Sequence, residues 1–374
     1  MSVFVFGAFA APTATSKASP HSIAREYFTH HPNFELERTL GNGIGGIAFQ
    51  FKENIQNKGL IRWAVKFALY ESQVYNLEKE IRLLQTLRGA LHIAQLRAAN
   101  NDLRSPTTGP RTRQVALITE LVKNLSLQDF VDRFLQQFRD QPAVIWPNRL
   151  LWYIFLCCAS QAFHILPRSN VINIGATCSS CPVTRIACAL AFPPNQRDDD
   201  TELSLEEPST YQSNDQKARA IFHGDFGNWN NLIFGDTEQS QREHNIFPIL
   251  KLIDFGEAKT DLKDISLPNP LAQVGTITQA NLYEIGWLMK RLTDVYNEYD
   301  LIHLPNADQA LYDLVARCTH NEAAQRPSLE ELSNTIETKL GLEESDGQVS
   351  FVGNESDQEL ERIVRECVLT GSTT

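Results

Sequence analysis

Two short motifs in the second half of the chain limit what it can fold into more than any other feature. The first reads His-Gly-Asp-Phe-Gly-Asn-Trp-Asn-Asn over residues 223 to 231 and runs into the apolar stretch Leu-Ile-Phe. The second reads Lys-Leu-Ile-Asp-Phe-Gly over residues 251 to 256. Transfer of a phosphoryl group from a nucleotide needs a carboxylate to orient the acceptor hydroxyl, and an Asn and an Asp to hold magnesium on the phosphates. The two motifs supply these residue types in this order, so nucleotide-dependent phosphotransfer is the first hypothesis.

The first half of the chain supplies three further parts of such a site. Residues 41 to 46, Gly-Asn-Gly-Ile-Gly-Gly, form a glycine-rich turn between two strand-like runs, and glycines let backbone amides approach phosphates closely. Residues 63 to 66, Trp-Ala-Val-Lys, place a lysine on the next strand-like run. A helix is then predicted, because apolar residues recur on one face at helical spacing. These are Val74, Leu77, Ile81 and Leu84.

Together these motifs resemble the protein-kinase superfamily, and in particular its divergent fungal-type members, over roughly Phe34 to Leu340. The resemblance implies an α+β, two-lobed protein kinase-like fold, with a small β-rich N-lobe that carries one key helix and a larger α-helical C-lobe. The implied division is a flexible tail at 1–32, an N-lobe at 33–123, a C-lobe at 124–340 with an irregular insertion at about 167–220, and an acidic tail with a short helix at 341–374.

The resemblance also implies roles for five polar residues. Asp225 would orient the acceptor, and Lys66 paired with Glu80 would position the phosphates. Glu78 competes for the role of Glu80, which is preferred because Leu84 then takes the apolar position behind the active site. The implied magnesium ligands are Asn230 and Asp254. Asn231 is the alternative to Asn230, because it is the asparagine that the apolar run follows directly.

A nucleotide pocket follows from the same resemblance. Thr119 would guard its back, and the backbone around residues 120 to 122 would bind the adenine. The residues implied to contact ATP are Gly41, Gly43, Gly46, Ala48, Ala64, Lys66, Glu120, Val122 and Leu232.

The chain departs from an ordinary protein kinase at four places. Gly224 replaces the arginine before the catalytic aspartate, and Gly227 stands where a lysine normally neutralises the transferring group. Asn281 replaces an aspartate whose oxygen accepts amide hydrogen bonds, a role that its amide oxygen can still fill. The Ala-Pro-Glu motif that helps to seat peptide substrates is missing, so the expected glutamate partner of Arg326 is missing too.

We therefore expect an intracellular, ATP- and magnesium-dependent phosphotransferase, most like a protein serine/threonine kinase, with an unknown protein or small-molecule acceptor. The alternatives are a pseudokinase that binds nucleotide or a partner as a scaffold, and a small-molecule kinase of the aminoglycoside/choline type. A net charge of −11 argues against nucleic acid as a partner. No apolar run approaches the roughly 18 residues of a membrane span, so no membrane contact is expected.

The cysteines and the C-terminal residues support three smaller predictions. Seven scattered cysteines suit a reducing compartment. Cys178 and Cys181 have half of a zinc-site spacing with no second pair, so no metal is expected there. Ser-Asp-Gln-Glu at 356 to 359 is a capping box that predicts a helix with one apolar face, which either packs on its own domain or docks on a partner.

Overall fold

The computed structural model describes residues 19–28, 33–43, 45–55, 59–103, 114–138, 147–164, 220–239, 241, 243–298, 308–342 and 351–369. Apart from its last residue, the predicted insertion at about 167–220 falls outside these ranges, as do Cys178 and Cys181.

The chain has an α+β fold, in which an N-terminal antiparallel sheet with a helix precedes a largely helical region. The sheet has five strands in the order β1-β2-β3-β5-β4. These strands are β1 (Phe34–Gly43), β2 (Gly46–Ile55), β3 (Gly59–Phe67), β4 (Leu96–Leu103) and β5 (Gln114–Glu120), and helix α2 (Glu71–Thr86) lies between β3 and β4 in sequence.

The C-terminal region contains one small sheet among its helices. The helices are α3 (Leu127–Phe138), α4 (Asn148–His164), α5 (Ile277–Glu298), α6 (Gln309–Cys318), α7 (Leu329–Leu340) and α8 (Asp357–Ile363). Strands β6 (Leu232–Phe234) and β7 (Leu250–Leu252) pair antiparallel to each other. None of the helices in the described ranges combines the length and the apolarity that crossing a bilayer requires.

One face of the five-stranded sheet is covered by a helix that the sequence did not predict. Helix α1 (Pro20–Tyr27) lies within the segment predicted to be a flexible tail, 1–32. Ala24 and Phe28 are buried against the sheet, and the Phe28 ring lies 4.6 Å from the rings of both Phe34 and Phe51. The expectation of a tail is therefore wrong for this part of the segment, because its apolar residues cover sheet side chains.

The opposite face of the sheet carries the residues that matter for the site. Side chains alternate between the two faces of a strand, so the burial of Val65 on the α1 side leaves Ala64 and Lys66 on the other side. The strand register places Ala48 beside Lys66 and Thr119 beside Ala64. The predicted amphipathic helix is present on this face as α2, with its apolar residues buried in the core.

Helix α4 is the centre of the C-terminal region. Every side chain from Leu150 to Ala159 is at most 2% exposed. A helix that is apolar all round must be covered on all sides, and α4 contacts α5, α7 and β7. The uninterrupted apolar run in the sequence predicted this burial.

The C-terminal helix packs on its own chain. The Oγ of Ser356 accepts a hydrogen bond from the backbone N–H of Glu359 at 3.3 Å, as the capping pattern predicted. The apolar face of α8 and of the turn after it is buried in the main core. Just before this helix, the Glu355 carboxylate accepts the backbone N–H groups of Asn148 and Arg149, each at 2.8 Å.

Replacing Glu355 with alanine should lower the free energy of unfolding by about 1–2 kcal/mol, because α4 then loses the carboxylate that caps its positive end. Urea unfolding followed by circular dichroism measures this loss. Glu361→Ala, an exposed change on α8, is the matched control and should stay within about 0.5 kcal/mol of wild type. Equal effects of the two variants would contradict the capping role.

Candidate active site

A lysine held between two carboxylates forms the centre of the candidate site. The Nζ of Lys66 on β3 lies 2.8 Å from Oε2 of Glu80 on α2 and 2.7 Å from Oδ1 of Asp254, which follows β7. The structure thus brings together the pair that the sequence proposed and adds Asp254 to it. Glu78 lies instead near Arg82, one turn further along the helix, with an N–O distance of 3.8 Å.

Burial and charge oppose each other in this cluster. Desolvation disfavours the ammonium of Lys66, but the charges of Glu80 and Asp254 outweigh it and raise the pKa of Lys66. Burial would raise the pKa of Asp254, yet the charge and hydrogen bond of Lys66 lower it overall. Glu80 is buried deepest, and desolvation raises its pKa despite the nearby lysine. The cluster therefore keeps a cation and an exposed carboxylate oxygen at the same point.

Asp254 has a strained backbone. Its φ of 58° is left-handed, which costs an L-residue roughly 1–2 kcal/mol, and no other non-glycine among the described residues has a positive φ. The Gly256 N–H donates to Asp254 Oδ1 at 3.1 Å, and the Phe255 N–H donates to Glu80 Oε1 at 3.3 Å. Strain of this kind is often found at functional sites, and here it aims the carboxylate at Lys66.

The second carboxylate of the site, Asp225, is held by two asparagines. Its Oδ2 accepts hydrogen bonds from Nδ2 of Asn231 at 2.8 Å and Nδ2 of Asn228 at 3.2 Å. Burial raises the pKa of Asp225, and the two amides partly offset this effect. Nearby, burial lowers the pKa of His223 to about 4. His223 packs edge-on against Phe255, so the two motifs are in direct contact.

Of the two asparagines between which the sequence left the choice open, Asn231 is the one that hydrogen-bonds Asp225 in the described residues. Asn230 is exposed, and its side chain lies 3.4 Å from the Ser126 hydroxyl, away from Asp225. Asn231 is buried, and its carbonyl accepts the Ile253 N–H at 2.8 Å, next to Asp254. The 3₁₀ turn over residues 229 to 231 ends at Asn231, whose amide reaches Asp225.

The side chains of β6 differ in burial. Leu232 was expected to contact ATP, but it is fully buried in the main core. Ile233 points to the other side of the strand and is partly exposed. Leu232 therefore faces the core and Ile233 the more exposed side of the strand, and the contact of Leu232 with ATP stays a prediction.

The remaining residues implied to contact ATP lie on β1, on β2 and just after β5. Gly41 and Gly43 lie on β1 opposite Ala48 and Gly46. Gly46 has a φ of 132°, and a Cβ there would lie 2.1 Å from the Phe67 carbonyl, so only glycine fits. Val122 follows β5 and is partly exposed.

The carboxylate of Glu120, at the end of β5, has a structural role. Its Oε1 accepts Lys251 Nζ at 2.6 Å and the Gln95 N–H at 2.8 Å. Its backbone N–H donates to the Gln95 carbonyl at 2.9 Å. These bonds fix the end of β5 against the loop before β4, and the sequence gave no signal for them.

Two polar side chains of helix α5 bind the backbone of the first motif. Asn281 accepts the His223 N–H at 3.2 Å and donates to the Ile221 carbonyl at 2.8 Å, so its amide does accept an amide hydrogen bond as expected. One turn later, Glu284 accepts the Gly224 N–H at 3.2 Å. Gly224 has a φ of 81°, and a Cβ would lie 2.9 Å from the Glu257 carbonyl, which explains why no arginine stands here.

Glu284 is the residue that the sequence reasoning missed. It is 5% exposed, and burial raises its pKa to about 8, with the charge of Asp225 adding to the effect and the Gly224 N–H opposing it. The available signal was its position three residues after Asn281, which places both side chains on one face of the helix.

Arg326 is held by backbone carbonyls. Its guanidinium donates to the carbonyls of Gln279 at 2.9 Å, His320 at 3.0 Å and Gln273 at 2.5 Å, and lies 4.8 Å from the centre of the Tyr283 ring. A second arginine, Arg291, donates a hydrogen bond to the backbone carbonyl of Gly227 at 2.7 Å.

The buried Glu284 should make stability depend on pH. Because its pKa rises from 4.5 to about 8 on folding, the native state keeps a proton that the unfolded chain releases. Wild type should therefore lose stability as pH rises through this window, and Glu284→Gln should not share the loss. As pH rises through this window, the unfolding free energy of Glu284→Gln should increase relative to that of wild type by up to a few kcal/mol.

Urea unfolding at several pH values measures this difference. Glu330→Gln, on the exposed side of α7, is the matched control and should keep the pH dependence of wild type. A constant difference between Glu284→Gln and wild type at all pH values would contradict the raised pKa.

Comparisons with known proteins do not place this chain in a family. No protein-family model matches it, and no curated protein matches it significantly. Any assignment of function therefore depends on the geometry described above.

Proposed function

We propose that this chain has a two-lobed protein kinase-like fold and is an ATP- and magnesium-dependent phosphotransferase, with a serine or threonine hydroxyl of a protein as the acceptor. In this proposal the five-stranded sheet with α2 is the N-lobe, and the helical region is the C-lobe. Residues 257 to 279 form the activation segment.

One observation carries the proposal. Five polar residues, from parts of the chain that are far apart in sequence, meet at one place. Lys66 and Asp254 are 188 positions apart and in contact at 2.7 Å. Asn231 is hydrogen-bonded both to Asp225 and to the backbone next to Asp254. Packing alone gives no reason to collect a lysine, three carboxylates and an amide around a strained aspartate.

The donor atoms suit Mg²⁺. Magnesium prefers hard oxygen ligands from carboxylates and keeps several waters. Within the described residues, the hydrogen bonds of Asp254 all use Oδ1, which leaves Oδ2 for a cation. Asn231 donates through Nδ2, which leaves its amide oxygen available. When bound, magnesium would neutralise charge on the phosphates of ATP.

The protein groups have distinct roles in the proposed reaction. The acceptor oxygen bonds to the γ-phosphorus of ATP while the bond from that phosphorus to the ADP oxygen breaks. Asp225 orients the acceptor hydroxyl and takes its proton. Lys66, held by Glu80, binds the phosphates that remain on ADP. Glu284 and Asn281 keep the loop that carries Asp225 in place through its backbone.

A small alcohol is a second candidate acceptor, and the end of the activation segment favours it. Only four residues separate Thr276 from Asn281. Arg326 fixes this end by bonding to backbone carbonyls, so the segment has little length with which to seat a peptide. A pseudokinase remains the non-catalytic alternative, in which the same residues bind nucleotide without turnover.

Nucleotide binding should depend on magnesium through Asp254 and Asn231. ATP with Mg²⁺ should raise the melting temperature of wild type progressively with ligand concentration. Asp254→Ala and Asn231→Ala should each abolish the dependence on magnesium. A thermal-shift titration with Mg²⁺ or EDTA measures it.

The neighbouring asparagine provides the matched control. Asn230→Ala removes the same amide from an exposed position and should leave the magnesium-dependent shift intact. The loss of the shift in Asn230→Ala, with retention in Asn231→Ala, would restore the original assignment. No shift with any nucleotide in wild type would refute the proposed site.

A further inference from the structure

Two buried histidines and a cysteine meet beside β7. His92 lies in the loop before β4, Cys157 on α4, and His244 in the connection between β6 and β7. One ligand atom from each lies within 4.8 Å of those from the other two, and all three side chains are buried. No part of the proposed phosphotransfer uses these residues.

The hydrogen bonds of the histidines determine which nitrogen carries the proton. His92 Nδ1 lies 3.2 Å from the Leu250 carbonyl, and His244 Nδ1 lies 3.3 Å from the Phe247 carbonyl. A carbonyl only accepts, so a ring that bonds to it through Nδ1 carries its proton there and presents a lone pair at Nε2. The two Nε2 atoms face each other at 3.3 Å. Two neutral rings have only two N–H groups for these three contacts, and a cation between the Nε2 atoms would leave both Nδ1–H groups for the carbonyls.

The cation cannot easily be a proton alone, because burial strongly disfavours an imidazolium. A metal ion fits the distance. Two histidine nitrogens bound to zinc at about 2.0–2.1 Å, with a tetrahedral angle, lie roughly 3.3 Å apart. The Cys157 sulfur needs to approach by no more than about 1 Å to reach its own bonding distance of about 2.3 Å.

We propose that His92, Cys157 and His244 bind a transition-metal ion, with Zn²⁺ as the best fit. Imidazole and thiolate are the ligands that zinc prefers, whereas magnesium and calcium prefer oxygen. Both Nδ1–H groups donate to backbone carbonyls, which is the second-shell arrangement that orients metal-binding histidines. The partly buried carboxylate of Glu243 lies within electrostatic reach of Cys157 and can balance the charge of the ion.

A metal ion at this position would connect three elements of the fold. The Leu250 carbonyl, which accepts His92, also accepts Gln161 Nε2 at 2.9 Å. The His92 carbonyl accepts the Leu252 N–H at 2.9 Å. The ion would therefore join the loop before β4, helix α4 and strand β7, and β7 leads directly to Asp254. This inference does not depend on the proposed phosphotransfer.

The test measures the metal itself. Full-length protein, purified without chelator, should contain about one Zn²⁺ per chain by elemental analysis. Protein stripped of metal should melt at a lower temperature and recover on addition of Zn²⁺. Substitution with Co²⁺ should give a thiolate-to-metal charge-transfer band in the near ultraviolet.

Adjacent cysteines provide the matched variants. Cys157→Ala should lose the cobalt band and most of the bound metal, as should His244→Gln. Cys158→Ala deletes the same atoms from an equally buried position on the same helix and should keep both. Two results would overturn the proposal: wild type that neither retains zinc nor shifts its melting temperature when zinc is added, or an equal loss in Cys158→Ala. The zinc content and the melting temperature of the wild-type protein test the site even where a variant fails to fold.

Discussion

The candidate site depends on the ion cluster of Lys66, Glu80 and Asp254. Removing one partner of a buried ion pair costs several kcal/mol, because the other charge is left uncompensated. Here each of the three residues comes from a different element, so the cluster fixes β3, α2 and the end of β7 relative to one another. The strained backbone of Asp254 is maintained by these contacts. The position of the carboxylate is therefore a property of both regions of the fold together.

Polar side chains of helix α5 hold the backbone of the first motif. The backbone at Gly224 has no room for a side chain, and Glu284 accepts its N–H. Asn281 accepts the His223 N–H and donates to the Ile221 carbonyl. Arg326 likewise binds backbone carbonyls further along the chain. In each case a buried polar side chain fixes the course of the backbone.

The sequence predicted the parts that local patterns determine. The buried helix α4 and the apolar face of α2 followed from periodicity, and Lys66 with Glu80 followed from motif resemblance. The Asn230 assignment followed from counting, and counting cannot show which of two adjacent asparagines a 3₁₀ turn brings to Asp225. Helix α1 and the role of Glu284 could not be predicted, because their burial depends on distant residues that only the folded chain brings near. The same reason hides His92, Cys157 and His244, which share no sequence motif.

The central claim is that Asp225 activates an acceptor for transfer from ATP, and the transfer itself is the most direct measurement. Purified protein should be incubated with labelled ATP and Mg²⁺, together with a generic protein substrate or small alcohols, and the labelled product quantified. Wild type should transfer the label, and the rate should fall by at least about 100-fold in Asp225→Asn, since a lost general base typically costs 10²–10⁴-fold. Equal rates in wild type and Asp225→Asn, or no transfer to any acceptor despite nucleotide binding, would contradict this claim.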